Sequence, residues 1–438
     1  MKKILINSLL IVFIIIFSLA FILSTTGIET SKFNKLISDK ASKTNINLEL
    51  DTVKFKINPK KLSLFLETNN PVINYREILI PVKNIKVYVD FISLLKAEPI
   101  IKRSVLELEK LDITELNRLS LMIKPSNFKS FLNNKIKKGK LVSEIEIFLS
   151  EQGIIEDFIA KGKINDLKVD LYSNLNFTNG KLDFFADKDD VLIKNIYGNL
   201  EEIKISDGDI KLNFEDGIKL KSNFNSTINF DEQLVSKFKK FFYKYKFYNS
   251  LKSLEADLNN SISVDLDKTY KIKDYDYSIS GIVKKSKLEL LQPIKNIIIT
   301  DEIKTLYLSD LEISTSFQPK KFISEGKGKY SFNNLNYYKL NFDNSLKKNI
   351  TFFNLDIDYG HSLTFDFINY KKNKNSIANL LLNLEKNSNK IKINKFYFKE
   401  DKNLIKLNDL VFDKNKFLSF KKIEIKTTNN DFNIQSGK

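Results

Sequence analysis

Three hydrophobic patterns follow one another along the chain, and each predicts a different element. Residues 4–23, ILINSLLIVFIIIFSLAFIL, form an almost unbroken apolar run directly behind Lys2 and Lys3. About twenty residues at 1.5 Å each cross a hydrocarbon core of roughly 30 Å, so residues 1–27 are predicted to be one membrane-spanning helix. A short helical period comes next. Phe33, Leu36, Ile37 and Ala41 fall three or four positions apart, and Thr30 or Ser31 can cap them. From Asn45 the period drops to two. Ile46, Leu48 and Leu50 alternate with polar neighbours, as do Val53, Phe55 and Ile57, then Leu62, Leu64 and Leu66. Asn58-Pro59 and Asn69-Asn70-Pro71 mark the turns, and further strands are predicted over 77–81, 85–90 and 105–113. Residues 28–113 thus form a first module.

Ser126 predicts the start of a short helix over 127–138, with Phe128, Phe131, Leu132 and Ile136 on one side and Gly139 as its left-handed end. Gly139, Gly162, Gly180 and Gly198 each begin a strand-like run, the last three 18 residues apart. That spacing fits two strands plus two turns, and glycine suits such turns because it accepts positive φ. Residues 114–230 are therefore predicted to be a β-repeat segment. Its clearest strand places Ile218, Leu220, Ser222, Phe224, Ser226, Ile228 and Phe230 on one face, against Lys219, Lys221, Asn223, Asn225, Thr227 and Asn229. An antiparallel sheet with one wet and one apolar face gives this alternation.

One stretch breaks the pattern. Leu234, Phe238, Phe241, Tyr245, Tyr248, Leu251, Leu254 and Leu258 recur every three or four positions, with lysines on other faces. Residues 231–258 are accordingly predicted to be one amphipathic helix, either plugging a groove or capping a sheet edge. Alternation returns at Ile391, Ile393, Phe396 and Phe398, and again at Leu418, Phe420, Ile423 and Ile425. Residues 259–438 form a second β-repeat segment, and its stop at Ser436-Gly437-Lys438 without a closing cap suggests a chain that continues.

Charge bears on orientation. Lys2 and Lys3 precede the apolar run and the first charges beyond it are Glu29 and Lys32, which favours a cytoplasmic N-terminus and an exported body; Lys35, Lys40 and Lys43 weigh the other way. Ser18-Leu19-Ala20 has the spacing of a signal-peptidase site, but Phe21-Ile22-Leu23 carries the apolar run past it and favours an uncleaved anchor. Both alternatives put the body outside the cytoplasm. There is no cysteine, which excludes disulfides, thiolate metal sites and cysteine lipidation. The formal charge of +17 comes with abundant Lys, Asn, Ile and Phe, no Trp and one His, a composition that points to A/T-rich coding. The lysines are spread out, without the compact basic and aromatic footprint of a nucleic-acid site, so no nucleic acid is expected as partner.

Convergent chemistry is absent from the pattern. The only histidine, His361, lies in Asp358-Tyr359-Gly360-His361 and is expected to be a solvated turn residue. Asp187, Asp189 and Asp190 could hold a hard cation, but without the glycine and distal glutamate of a calcium loop they fit a hairpin tip better. Lys102-Arg103 is expected at the surface. Neither a G-x-S-x-G elbow nor a phosphate-binding loop occurs, and the chain is expected to be neither an enzyme nor a cofactor carrier.

The anchor, the amphipathic linker and the 45–66 hairpin resemble the N-terminus of AsmA-like proteins, the group that includes TamB and YhdP. Val87-Tyr88-Val89-Asp90-Phe91-Ile92-Ser93-Leu94-Leu95, followed by Pro99-Ile100-Ile101 and Val105-Leu106-Glu107-Leu108, is similar to that family's valine-aspartate, leucine-pair and strand segment. The likeness is specific over about residues 1–113 and architectural beyond, where the interrupting helix is closer to the YhdP type. It implies a mostly β protein: a transmembrane helix in the inner membrane, then an elongated, curled antiparallel β-groove in the periplasm with a few amphipathic helices. It further implies passage of phospholipid toward the outer membrane, with outer-membrane or periplasmic proteins as partners and no catalytic residue. On this reading the groove is lined by positions such as Ile218, Leu220, Phe224, Ile228 and Phe230. On pattern alone a dry sandwich or closed solenoid is the commoner outcome. The alternatives are an envelope scaffold that carries no lipid and, more remotely, a β-solenoid adhesin.

Overall fold

The computed structural model describes residues 2–436 apart from 32–33, 43–45, 60–62, 76–77, 91–92, 94–99, 114, 116–133, 153, 173–174, 216, 243–249, 268, 270, 375 and 415. The protein is mostly β, with long antiparallel strands behind an apolar N-terminal helix, α1 (Lys2–Thr25). This helix is long and apolar enough to cross a membrane, and over residues 7–25 nearly all its side chains are exposed. Gly27 ends it in the left-handed region, at φ +73°, with its N–H donating to the Ile22 carbonyl at 2.8 Å.

Two compact units follow from the contacts. The first comprises residues 1–201 with 211–213; the second comprises 202–210 and 214–438. In the first unit α1 leads to β1 (Ile28–Thr30), α2 (Asn34–Ser42), β2 (Ile46–Glu49), β3 (Val53–Asn58), β4 (Ser63–Asn69), β5 (Val72–Tyr75) and β6 (Ile78–Val89). It continues through β7 (Ile101–Leu108), β8 (Leu111–Asp112), β9 (Ile136–Leu149), β10 (Ile155–Tyr172), β11 (Leu175–Ala186) and β12 (Asp190–Leu200). The sheet runs in the order β1, β3, β4, β6, β7, β9, β10, β11, β12, all antiparallel. A side ribbon of β2, β5 and the start of β6 lies with α2 over part of it, burying Ile37, Leu48, Val53, Leu66, Ile73 and Val87 together. Ser38 Oγ donates to the Leu48 carbonyl at 2.6 Å and ties α2 to that ribbon. Here the apolar face is closed by its own chain.

Several sequence expectations change in this unit. Residues 127–133 lie outside the described structure, but 136–138 begin β9, and Gly139 sits inside that strand instead of ending a helix. Gly162, Gly180 and Gly198 likewise lie within β10, β11 and β12, so the 18-residue spacing counts one long strand, not a hairpin. Their role is clearance, not positive φ. A Cβ on Gly162 would come within 2.9 Å of the Phe184 ring, its cross-strand partner, and one on Gly198 within 2.5 Å of the Phe177 ring. Arg103 is not simply a surface residue. Its guanidinium pairs with Glu146 at 2.6 Å and lies 3.7 Å from the centre of the Tyr88 ring.

The second unit is a meander. After β13 (Ile203–Asn213), within which the division falls, come β14 (Ile218–Phe230), α3 (Glu232–Phe242), β15 (Leu251–Leu266), β16 (Ile272–Ile294), β17 (Ile303–Gln318), β18 (Lys321–Ser331) and β19 (Tyr338–Lys347). Then follow β20 (Ile350–Tyr359), the small hairpin β21 (Leu363–Phe365) and β22 (Tyr370–Lys372), β23 (Ala378–Lys386), β24 (Lys390–Glu400), β25 (Asn403–Asp413), β26 (Lys416–Ser419), β27 (Lys422–Thr427) and β28 (Asn430–Gln435). From β14 each strand pairs antiparallel with the next, except that β20 skips the hairpin to reach β23, and β26 and β27 share β25.

The amphipathic helix is shorter than predicted. α3 ends at Phe242, Tyr245 and Tyr248 fall outside the described residues, and Leu251, Leu254 and Leu258 belong to β15. Leu254, Ala256 and Leu258 also satisfy a period of two, and pairing with all of β14 decides between the two periods. Long strands bend at bulges. Asp166, Asn179, Asp310 and Asp409 take φ between 50° and 54° inside their strands, where short polar side chains tolerate the left-handed region.

Two predictions follow from this packing. The Phe342 ring lies 2.2 Å from where a Cβ on Gly326 would be, so Gly326→Val should cost about 1–3 kcal/mol in thermal unfolding. Adding Phe342→Ala should return much of that loss; no coupling between the two changes would refute the ring-over-glycine account. The second concerns Glu67 in β4. Burial raises its pKa, but hydrogen bonds from Lys56 (2.6 Å) and Asn84 (3.0 Å) and the charges of Lys56 and Lys86 outweigh this and hold it below the ordinary 4.5. A depressed folded-state pKa stabilises above the unfolded value and is lost as pH falls through the folded one. The stability gap between wild type and Glu67→Gln should therefore be largest near neutrality and shrink below pH 4.5. Urea titrations in detergent across that range measure it.

Candidate apolar face and its strap

β14 delivers the predicted alternation. Ile218, Leu220, Phe224 and Ile228 are half-buried on one face and Phe230 is buried, while Lys219, Lys221, Asn223, Asn225, Thr227 and Asn229 are exposed. Two serines share that face. Ser222 Oγ donates to the Asp209 carbonyl at 2.7 Å, and Asn260 Nδ2 donates to Ser226 Oγ at 3.0 Å. Tyr277 completes the inset by donating its hydroxyl to Asn260 Oδ1 at 3.1 Å. Of the residues predicted on the helix, Leu234 is half-buried and Phe238 is buried, its ring stacked 4.8 Å from Phe230. α3 thus covers the end of the face at Phe230.

Pairing register aligns this face across the whole meander, since directly opposed residues point the same way. From β14 to β20 one row runs Ser226, Leu258, Gly281, Ile313, Gly326, Phe342 and Leu355. It continues through β23, β24, β25 and β27 as Leu382, Phe396, Leu407 and Ile423. Every apolar side chain in this row is half-buried, neither sealed nor fully open. A parallel row is deeper, and its ends differ. Ala256, Val283 and Leu311 pack under their strand neighbours. Phe398, Ile405 and Ile425 lie beneath a separate piece of chain.

That piece is the strap, residues 360–377 with the β21–β22 hairpin. Leu363, Phe365, Ile368 and Tyr370 turn inward onto the face, and the rings of Phe365 and Tyr370 meet Phe398 edge-on at 5.7 and 5.9 Å. Phe398 is 0% exposed. Polar ties hold the strap down. Lys372, also 0% exposed, donates from Nζ to the carbonyls of His361 (3.0 Å), Asn373 (2.9 Å) and Ser376 (2.6 Å). The hydroxyls of Tyr370 and Ser376 both donate to the Glu400 carboxylate. Ser362 Oγ donates to Asp301 at 2.6 Å, and the Thr364 N–H to the Ile298 carbonyl at 3.0 Å. Burial lowers the pKa of Lys372 and raises that of Tyr370, whose bond to Glu400 adds to the rise.

His361 is the clearest correction to the chemistry. It lies at a turn, but its ring packs 4.9 Å from Phe332 and 5.9 Å from Tyr359, and burial lowers its pKa. Its Nε2 has no hydrogen-bond partner among the described residues. The Asp301 carboxylate acts on it electrostatically, while that carboxylate's own bonds go to Ser362 and Lys374. A polar cavity of about 400 Å³ beside the strap is lined by Asn369, Tyr370, Ser376, Glu400, Asn403 and Thr428 among others, and in it the Tyr370 and Ser376 hydroxyls meet the Glu400 carboxylate. Asp187 behaves as a turn residue: its carboxylate accepts the N–H groups of Asp190 (2.7 Å) and Asp189 (2.9 Å), which hold its pKa down. Among the described residues no group of three or more His, Asp and Glu is placed to hold a metal ion. Comparisons with known proteins return no match: no family model, no curated protein and no solved structure resembles the chain significantly.

The strap was missed in the sequence. Its signal is the lapse of alternation between Tyr359 and Ala378, with Asn and Lys gathered at 369–375. Lys372→Met should leave the His361 and Ser376 carbonyls without this donor, at about 1–3 kcal/mol for each buried group left unpaired, while the Asn373 carbonyl keeps its contact with Ser376. Trypsin should then cut the strap at Lys371 and Lys374 faster than in wild type. Unchanged cleavage would mean that apolar contacts alone hold it.

Proposed function

We propose that this chain is a membrane-anchored lipid-shielding protein: α1 sits in the inner membrane, the body stands in the periplasm, and phospholipid acyl chains run along the apolar face of the second unit toward the outer membrane. The observation that carries this reading is the in-register row from Leu258 to Leu355, apolar side chains left half-exposed over consecutive strands. A face of that extent, if left to water, is a cost that an acyl chain relieves at about 0.8 kcal/mol per buried methylene. The wet, Lys- and Asn-rich side of β14 suits an aqueous compartment. The resemblance of residues 1–113 to AsmA-like proteins, read from the sequence alone, motivates the same assignment. The chain's part is passive: the face binds and guides, and a partner protein supplies direction.

A second reading has its own support. The strap seals Phe398, Ile405 and Ile425 as a dry core, which favours an envelope scaffold that carries no lipid. One experiment separates the two. A photo-crosslinking amino acid placed at Phe224 or Phe342 in living cells should capture phospholipid, and the same residue at Phe398 should capture none. Capture at no position, with the protein folded, leaves the scaffold. Equal capture at all three would show that the strap does not close its end of the face.

A further inference from the structure

α1 and the sheet of the first unit meet without a linker. Only Thr26 and Gly27 separate the helix from Ile28, the first residue of β1. The last turn of the helix is closed on itself, with the hydroxyls of Ser24 and Thr25 donating to the Phe21 carbonyl at 2.9 and 2.8 Å. Gly27 sits so close to β3 that a Cβ there would lie 2.8 Å from the Lys56 side chain. Leu23 is buried, whereas every α1 side chain from residue 7 to 22 is exposed. The helix therefore stands off the body and joins it at one end of the sheet.

Register identifies what else lies at that end. Ile28 is opposite Phe55, and the row continues through Leu66, Val87, Ser104, Ile147 and Phe158. On the α1 side of this row β9 and β10 run on to the pair Leu149–Ile155, where the Ser150 N–H donates to the Ile154 carbonyl at 2.9 Å. At about 3.3 Å per residue this turn extends roughly 10 Å past the row. Its tip is apolar and uncovered: Ile154 is 66% exposed and Ile155 62%. Exposure alone does not choose an end, since Val72, Leu79 and Leu171 are exposed toward the far one. The attachment of α1 does.

Charge does not account for the tip. Residues 150–157 include Glu151, Glu156 and Asp157 and no lysine. In the β11–β12 turn at the same end Asp187 and Asp189 outnumber Lys188, while Lys102 is paired with Asp90 and Lys211 with Asp190. The tip's own attraction to a bilayer is thus apolar. Two isoleucines on an acidic turn would hold weakly by themselves, but a helix already in the same bilayer makes their contact intramolecular.

We propose that the β9–β10 turn inserts Ile154 and Ile155 into the surface of the bilayer that α1 spans, giving the first unit a second point of attachment. The proposal rests on the membrane anchoring of α1 and not on lipid passage along the second unit.

The chain contains no Trp, so a single introduced indole reports its own position. Three full-length proteins are reconstituted into phosphatidylcholine vesicles with or without bromine on the acyl chains: Ile154→Trp, Phe13→Trp within α1, and Leu79→Trp at the far end of the sheet. Bromine should lower emission about twofold or more at positions 154 and 13 and leave position 79 unchanged. Adding Ile155→Glu to Ile154→Trp should restore the emission, with the circular dichroism of the β body unchanged. Quenching at 13 without quenching at 154 overturns the insertion and keeps the anchor, whereas no quenching at 13 overturns both. Equal quenching at 154 and 79, or quenching that survives Ile155→Glu, also overturns the insertion. Quenching at 154 that appears only when phosphatidylglycerol is added overturns its apolar basis.

Discussion

Strict alternation in a long meander imposes one constraint on everything else: a residue on one face of a strand meets residues on the same face of the next, at the same height. Period two fixes which way each side chain points, and antiparallel register fixes what it meets. The face begun by Ile218, Leu220 and Phe224 therefore extends by necessity through Ile313, Phe342 and Leu382. The remaining features of the second unit are ways of dealing with that face. α3 covers it at Phe230, the strap covers it at Phe398, and a polar inset of Ser222, Ser226, Asn260 and Tyr277 interrupts it near β14.

The strap shows how costly a local closure is. Bringing Lys372 fully out of water is unfavourable unless its ammonium is well bonded, and its lowered pKa is the mark of that burial. Three carbonyls within 3.0 Å supply the bonds, and two hydroxyls converge on Glu400 nearby. Such a network has one geometry in which all its members are satisfied. It fixes where the hairpin lies, whereas the apolar contacts of Leu363, Phe365 and Ile368 alone would tolerate sliding.

Much of this was legible in the sequence and some was not, for identifiable reasons. The apolar N-terminal helix, the β class and the facing of β14 are properties of local period, which is why Ile218 to Phe230 appear where the alternation put them. The glycines misled because their spacing is set by partner rings: nothing near Gly162 in the chain says that Phe184 lies across it. Residues 251–258 fit both a helical and a strand period, and only a neighbouring strand of matching length chose between them. The strap and His361 escaped for a third reason. Their burial depends on contacts between residues as distant as 368 and 430, where Asn430 Nδ2 meets the Ile368 carbonyl, and no window of sequence carries that.

The wet face explains how an apolar face can stay half-exposed without loss of order. Across β19 to β24 its side chains bond to one another: Asn354 donates to Asp343 at 3.2 Å, Asn383 donates to Asn354, and Asn394 donates to Asn383 and to Glu385 at 2.8 Å. Lys339, Asn341 and Asn379 add bonds to Asp356. These contacts, with the backbone ladder, link strand to strand from the side that faces water. They lose little when the other side is uncovered, because none of their donors or acceptors points there. A sheet held together from one face leaves the opposite one free of that duty. Its Phe, Ile and Leu side chains can then meet a mobile apolar partner without the strands parting, and that is the physical condition a lipid-guiding surface has to satisfy.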